Sequence, residues 1–216
     1  MNQIVEDKMK RKVMVIKNNK LFENTERKNG FYKTEAADFE KQILENFEYM
    51  TRSIAEENFD YKQPIPYSVV LDKNNYVFVY KRWWENSNAW DKRLHNKISI
   101  WVWWHIEKDV KVSQNPIHDT LIREIEEELN IKNDEIQKIE VLWYINDDTN
   151  DVGKVHIGIA YLIKLNNSNF DLLDGEIEKW EFMSIEELEK IINSWNYNVE
   201  AWSKILFEPL KEKFGK

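Results

Sequence analysis

Glu124, Glu127 and Glu128 stand at i, i+3 and i+4, the spacing that gathers side chains on one stripe of a helix. Like charges set this way repel by about 0.2–0.5 kcal/mol per pair, a cost that a hard divalent cation with oxygen ligands removes. The patch could therefore serve metal-assisted chemistry. The same spacing also suits a solvated acidic face, so the surrounding residues have to separate the two readings. Arg123 adjoins Glu124, while Glu126 falls on the opposite side of the helix.

The element that must carry these groups is a helix over residues 115–131. Asn115 is a good N-cap, and Pro116 fits the first helical position, where its missing N–H costs nothing. Ile117, Leu121, Ile122, Ile125 and Leu129 recur at helical spacing as an apolar stripe. Asn130 is suited to the left-handed residue that closes a helix, second only to glycine.

The run Arg123-Glu-Ile-Glu-Glu-Glu-Leu-Asn-Ile131 resembles the second half of the Nudix box, Arg-Glu-apolar-x-Glu-Glu-x-Gly-apolar. Six of its seven specified positions match, with Asn130 in place of Gly. Ordinary residue usage would give such a match in roughly one chain in a thousand of this length. The first half of the box departs further. Eighteen residues, 105–122, separate Trp104 from Arg123, where the pattern has thirteen between its Gly and Arg. An insertion of roughly Val110–Gln114 reconciles the two, and Asn115 then stands where the first Glu is expected.

Tryptophan occupies the positions at which similar Nudix proteins carry glycine. Trp101, Trp103 and Trp104 lie in Ile98-Ser-Ile-Trp-Val-Trp-Trp-His-Ile-Glu107, and Trp143 precedes Tyr144 in a stretch resembling a Leu-Gly of the family. Trp83, Trp84 and Trp90 fall in a polar hairpin connection, where glycine is common and paired indoles are not. The chain has 5 Gly and 10 Trp, whereas usage of about 7% predicts roughly 15 Gly. We read these seven tryptophans as glycine codons rendered as tryptophan, and Trp202, in an amphipathic helix, as a true core residue.

The resemblance implies an α/β fold of Nudix type, an α/β/α sandwich with a mixed sheet. Residues 1–62 would be an N-terminal extension packed on the main domain, and 63–216 the Nudix domain. It resembles bacterial Nudix proteins described as predicted phosphoesterases of the MutT-like superfamily. The implied activity is hydrolysis of a diphosphate (phosphoanhydride) bond in a nucleoside-diphosphate-linked or related small molecule. Mg²⁺ or Mn²⁺ would be held by Glu124, Glu127 and Glu128, with Arg123, Glu124 and Glu127 as catalytic residues and Arg123 orienting the carboxylates. Glu176 and Glu178, in an acidic turn, are candidates for a further base or ligand. A Nudix isomerase would need a catalytic cysteine, and the chain has none. A Nudix-fold ligand-binding module with impaired catalysis is the alternative if the indoles are genuine.

Strands are expected at residues 12–17, 67–71, 76–81, 139–145 and 154–165. Ala36–Phe59 reads as mostly helix, and Ser184-Ile-Glu-Glu187 as a capping box. Lys81 and Arg82, with Lys92 and Arg93 nearby, could receive an anionic part of the substrate or simply keep a hairpin soluble. His95 and His105 flank the next strand and could each contact substrate or leaving group or be structural, and the resemblance of Val152–Gly158 to the same subgroup places His156 on a strand facing the sheet's site or core. A net charge of −8 gives no general attraction to nucleic acid or anionic membrane. The opening residues hold no apolar leader, and the expected location is cytoplasmic. The identity of the diphosphate and the oligomeric state are silent in the sequence.

Overall fold

The structure, a computed structural model, describes residues 3–82, 97–108, 114–168 and 177–215. In chain order the elements are α1 (Gln3–Lys10), β1 (Lys12–Lys17), α2 (Asn18–Leu21), β2 (Gly30–Lys33), α3 (Phe39–Asn46), β3 (Glu48–Thr51), α4 (Arg52–Ala55) and β4 (Tyr61–Leu71). Then come β5 (Val77–Arg82), β6 (Ile98–Ser99), β7 (Val102–Trp103), α5 (Pro116–Leu129), β8 (Ile136–Asn146), α6 (Asp151–Val155) and β9 (His156–Leu165). β10 (Ile177–Met183), α7 (Ile185–Ile192) and α8 (Ala201–Phe214) complete the chain. The fold is α/β with a mixed sheet, whose strands pair in the order β10-β5-β4-β9-β8-β2.

The chain forms two compact units, each assembled from three segments. The first comprises residues 1–67, 103–123 and 141–161, and the second 68–102, 124–140 and 162–216. Residues 1–62, the expected extension, lie in the first unit. There β1 pairs antiparallel with β3, and β2 pairs antiparallel with the end of β8, from Gly30↔Asn146 to Lys33↔Trp143. Val13, Val15 and Ala55 make a buried cluster flanked by Met50 and Tyr61. Phe39 meets Phe22, Tyr32 and Tyr144 edge-on.

Ala36–Phe59 is less helical than its periodicity suggests. The helix ends at Asn46 because Phe47 turns extended, with ψ 157°, and Glu48–Thr51 is taken up as a strand by β1. A stretch with helical spacing can be claimed by a neighbouring strand edge, an interaction that local propensity does not contain.

In the second unit β10 pairs antiparallel with β5, and Phe78 packs with Tyr80, Trp180 and Phe182. The turn between β4 and β5 is organised by Asp72, whose Oδ1 accepts from the backbone N–H groups of Asn74 and Tyr76, both at 2.8 Å. Asn75 then takes φ 68°, a left-handed position that asparagine tolerates. Val77, Phe78, Val79 and Tyr80 are all buried, with no alternation of buried and exposed positions. Such a strand is covered on both faces and so loses its polar face. Among the described residues, no helix is long and apolar enough to cross a membrane.

Candidate functional site

The central helix follows its sequence signals closely. Asn115 Oδ1 accepts from the His118 N–H at 3.0 Å, capping α5, and Pro116 is its first residue. Ile117, Leu121, Ile125 and Leu129 are fully buried, so this stripe fixes the rotation of the helix about its axis. Asn130 adopts φ 53°, the left-handed conformation expected of the residue at that position. The Ile131 N–H reaches back to the Ile125 carbonyl at 3.4 Å.

With the rotation fixed, Glu124, Glu127 and Glu128 share the stripe beside the apolar one. Glu124 and Glu128 are half-buried, and Glu127 is exposed. Glu126 projects elsewhere and pairs with Lys132 at 2.9 Å. Arg123 is exposed. Carboxylate oxygens are the donor type that a hard cation takes.

Lys81 is half-buried and lines a groove of about 420 Å³ together with Tyr80, Ile98, Trp180, Glu181 and Tyr197. Arg82 ends β5 and Glu178 lies in β10, but their side chains, like all of Glu176, lie outside the described residues. Trp83, Trp84, Trp90, Lys92, Arg93, His95 and most of the Val110–Gln114 insertion also lie outside them. Trp101, Trp104 and Trp143 are buried, and Trp103 is half-buried. The Trp104 indole N–H is buried with no hydrogen-bond acceptor among the described residues.

His105 is 8% exposed and turns inward, onto His156 and Glu56. The two Nε2 atoms lie 3.1 Å apart, and Glu56 Oε1 is 3.4 Å from His105 Nε2 and 3.9 Å from His156 Nε2. His156 Nδ1 lies 2.7 Å from the Val152 carbonyl. Burial pushes the His105 imidazolium down to about 3 and lowers His156 as well. For Glu56, burial acts to raise the carboxyl, but the His105 hydrogen bond and the positive charges around it outweigh that and hold it at about 2. Sequence reading considered each histidine alone and missed Glu56. No local signal joins residues this far apart in the chain.

A second network fills the connection from Asn146 to Gly153, which reads in sequence as an acidic turn. Lys62 Nζ, fully buried, donates to Asp148 Oδ1 at 2.7 Å and to the Gly153 carbonyl at 2.6 Å. Arg27 grips the same carboxylate with two hydrogen bonds, each 2.8 Å. Burial lowers Lys62 to about 8, and the Arg27 and Lys62 cations hold Asp148 well below the usual carboxylate range. These groups are mutually satisfied, and they position α6 and hence the start of β9.

The sequence pattern of the family described as the NUDIX domain matches residues 110–203, a span that contains α5. Protein YmaB of Bacillus subtilis (strain 168) is 34% identical over 178 residues, covering 81% of this chain and 84% of that protein. The crystal structure of Tm1382, assigned to the Nudix hydrolases, superposes with a TM-score of 0.77 at 26% identity, over 94% of this chain and 100% of that one. The chain belongs to the Nudix family and is a Nudix hydrolase. DR0079 from Deinococcus radiodurans shares the fold, with a TM-score of 0.50 at 13% identity over 71% of this chain and 83% of its own.

Proposed function

We propose that the protein hydrolyses a phosphoanhydride bond in a nucleoside-diphosphate-linked or related small molecule, using Mg²⁺ or Mn²⁺ held by Glu124, Glu127 and Glu128. The observation that carries this reading is the placement of the three carboxylates on one stripe of α5, rotated into position by a fully buried apolar stripe and closed by a left-handed Asn130. A divalent ion bound there supplies Lewis-acid polarisation of the phosphoryl oxygens and a nucleophilic water at neutral pH.

The chain's own groups do the rest. Glu124 and Glu128, half-buried, hold the inner positions, and Glu127 offers its oxygens from the solvent side. Arg123 orients the carboxylates through its planar fork, which suits a bidentate hold. Lys81, in its groove beside Trp180 and Tyr197, receives an anionic part of the substrate, and Arg82 adds to that charge. Glu176 or Glu178 provides the further base. The substrate is a small phosphorylated molecule, since a net charge of −8 leaves no general pull on nucleic acid.

The test is turnover of a panel of nucleoside diphosphate derivatives with and without Mg²⁺, in the unsubstituted protein and two variants. Glu127→Gln is expected to lower metal-dependent phosphate release by orders of magnitude. Glu126→Gln, which loses only its surface pair with Lys132, is expected to retain it. Equal effects from the two substitutions would remove the assignment.

A further inference from the structure

Glu56, His105 and His156 present a chemistry that the α5 patch does not explain. Each lies in the first unit, and each is held by backbone fixed on its own account. Glu56 is the C-cap of α4, its N–H bonded to the Arg52 carbonyl at 2.9 Å, while the next residue's N–H reaches the Ile54 carbonyl at 3.2 Å. His105 stands beside Ile106, whose carbonyl accepts from the Met14 N–H at 2.7 Å, and Glu107 bridges Val13. His156 follows α6, whose N-cap Asn150 accepts from the Gly153 N–H at 2.9 Å. Three segments distant in sequence thus bring one ligand-type atom each to a common point, all within 4.8 Å of one another.

Proton placement sharpens the point. A carbonyl oxygen only accepts, so the 2.7 Å contact with Val152 O puts the His156 proton on Nδ1. Neutral His156 therefore directs a bare Nε2 lone pair at His105 Nε2, 3.1 Å away, with a carboxylate oxygen alongside. The His156 Nε2 lone pair and the Glu56 oxygen converge on His105 Nε2, so the space between them holds either the proton of one His105 tautomer or a cation. A histidine whose outer nitrogen is fixed by a backbone carbonyl is the common arrangement of a metal-ligating imidazole.

The spacing decides what kind of cation. A tetrahedral ion with metal–nitrogen distances of about 2.0–2.1 Å sets its ligand atoms about 3.4 Å apart. The observed separations of 3.1, 3.4 and 3.9 Å straddle that value. The two imidazoles favour Zn²⁺-class ions over Mg²⁺, and such ions accept a carboxylate oxygen beside them. Arg52, also buried, lies with its Nε 3.4 Å from the same Glu56 Oε1 and helps fix the carboxylate's position.

We propose that Glu56 Oε1, His105 Nε2 and His156 Nε2 form a site for a Zn²⁺-class transition ion, with ligands distinct from the α5 carboxylates, which pins α4, the segment after β7 and the start of β9 together. With three protein ligands, the fourth tetrahedral position is open to water. Burial of both rings makes a structural role the primary one.

The full chain, dialysed against a chelator and then titrated with Zn²⁺ or Co²⁺, provides the test. Bound metal is counted by elemental analysis, ligand geometry is read from the visible Co²⁺ spectrum, and the thermal midpoint is followed in parallel. One four-coordinate equivalent, beyond any ion that the α5 carboxylates take, is expected in the unsubstituted protein and in Glu127→Gln, with its Co²⁺ spectrum and a midpoint raised by several degrees. Glu56→Gln and His156→Gln are expected to lose that equivalent, its spectrum and the rise in midpoint. Glu56→Gln conserves volume, so it decides alone if the histidine variant fails to fold. Absence of a stoichiometric equivalent in the unsubstituted protein would mean that a proton joins the rings, and would overturn the proposal. Unaltered binding in folded Glu56→Gln would overturn it equally.

Discussion

At the scale of single residues, one backbone angle carries much of the argument. Asn130 sits at φ 53°, where an L side chain costs about 1–2 kcal/mol unless it is asparagine or, better, glycine. Asn130→Gly is therefore expected to leave the urea midpoint unchanged or raise it slightly, and Asn130→Val to destabilise by about 1–2 kcal/mol. Equal midpoints for the two variants would show that the angle is not needed. The tryptophans pose a sharper question of identity. A buried indole N–H without an acceptor, as at Trp104, costs about 1–3 kcal/mol, and tertiary structures rarely retain one. The peptide spanning Ile98–Lys108, isolated from the native source and weighed, is expected to carry glycine at 101, 103 and 104. A mass requiring three tryptophans would end that reading.

Among the elements, α6 shows how tightly a short turn can be specified. A Cβ built on Gly153 would lie 1.8 Å from the Asp147 carbonyl oxygen, far inside any allowed contact and against backbone that cannot swing away. The Gly153 carbonyl also accepts from buried Lys62. Gly153→Ala is thus expected to displace α6, with a loss of more than about 3 kcal/mol, at the severe end for a point substitution. Denaturant unfolding would register this, and a loss under about 1 kcal/mol would contradict the packing described. Legibility in the sequence varied among the elements for physical reasons. α5, β1 and α7 announce themselves because their signals are local: Asn115 caps its own helix, Val13, Met14, Val15 and Ile16 are a contiguous apolar run, and Ser184 exchanges hydrogen bonds with Glu187 three residues on. β3 is hidden because Glu48–Thr51 becomes a strand only by pairing with β1. The Glu56, His105 and His156 cluster is hidden more completely, since its meaning is a set of distances across three segments that carry no common spacing.

For the molecule as a whole, that cluster sets an expectation for stability against pH. The folded chain holds His105 at about 3, against an ordinary value of 6.5, and lowers His156, both chiefly by burial. The unfolded chain therefore takes up protons below about 6.5 that the folded chain refuses, and stability must fall as pH falls through that window toward 3. Glu56 works in the same direction. Held at about 2 against 4.5, its carboxylate contributes stability above 4.5 that is lost as pH drops toward 2. Burial outweighs the facing Glu56 carboxylate, which favours a proton on the rings, and the Arg52 cation and, for His156, the Lys62 cation act in the same direction as burial. Urea midpoints measured from pH 7 to pH 4, in chelator so that no added metal competes, should decline steeply in the unsubstituted protein. The decline should be shallower in the His105→Gln, His156→Gln double variant, whose neutral side chains cannot titrate, even if its midpoint at pH 7 is lower. Parallel curves would mean that the acid sensitivity arises elsewhere, and that the two rings are as easily protonated in the folded chain as in the unfolded one.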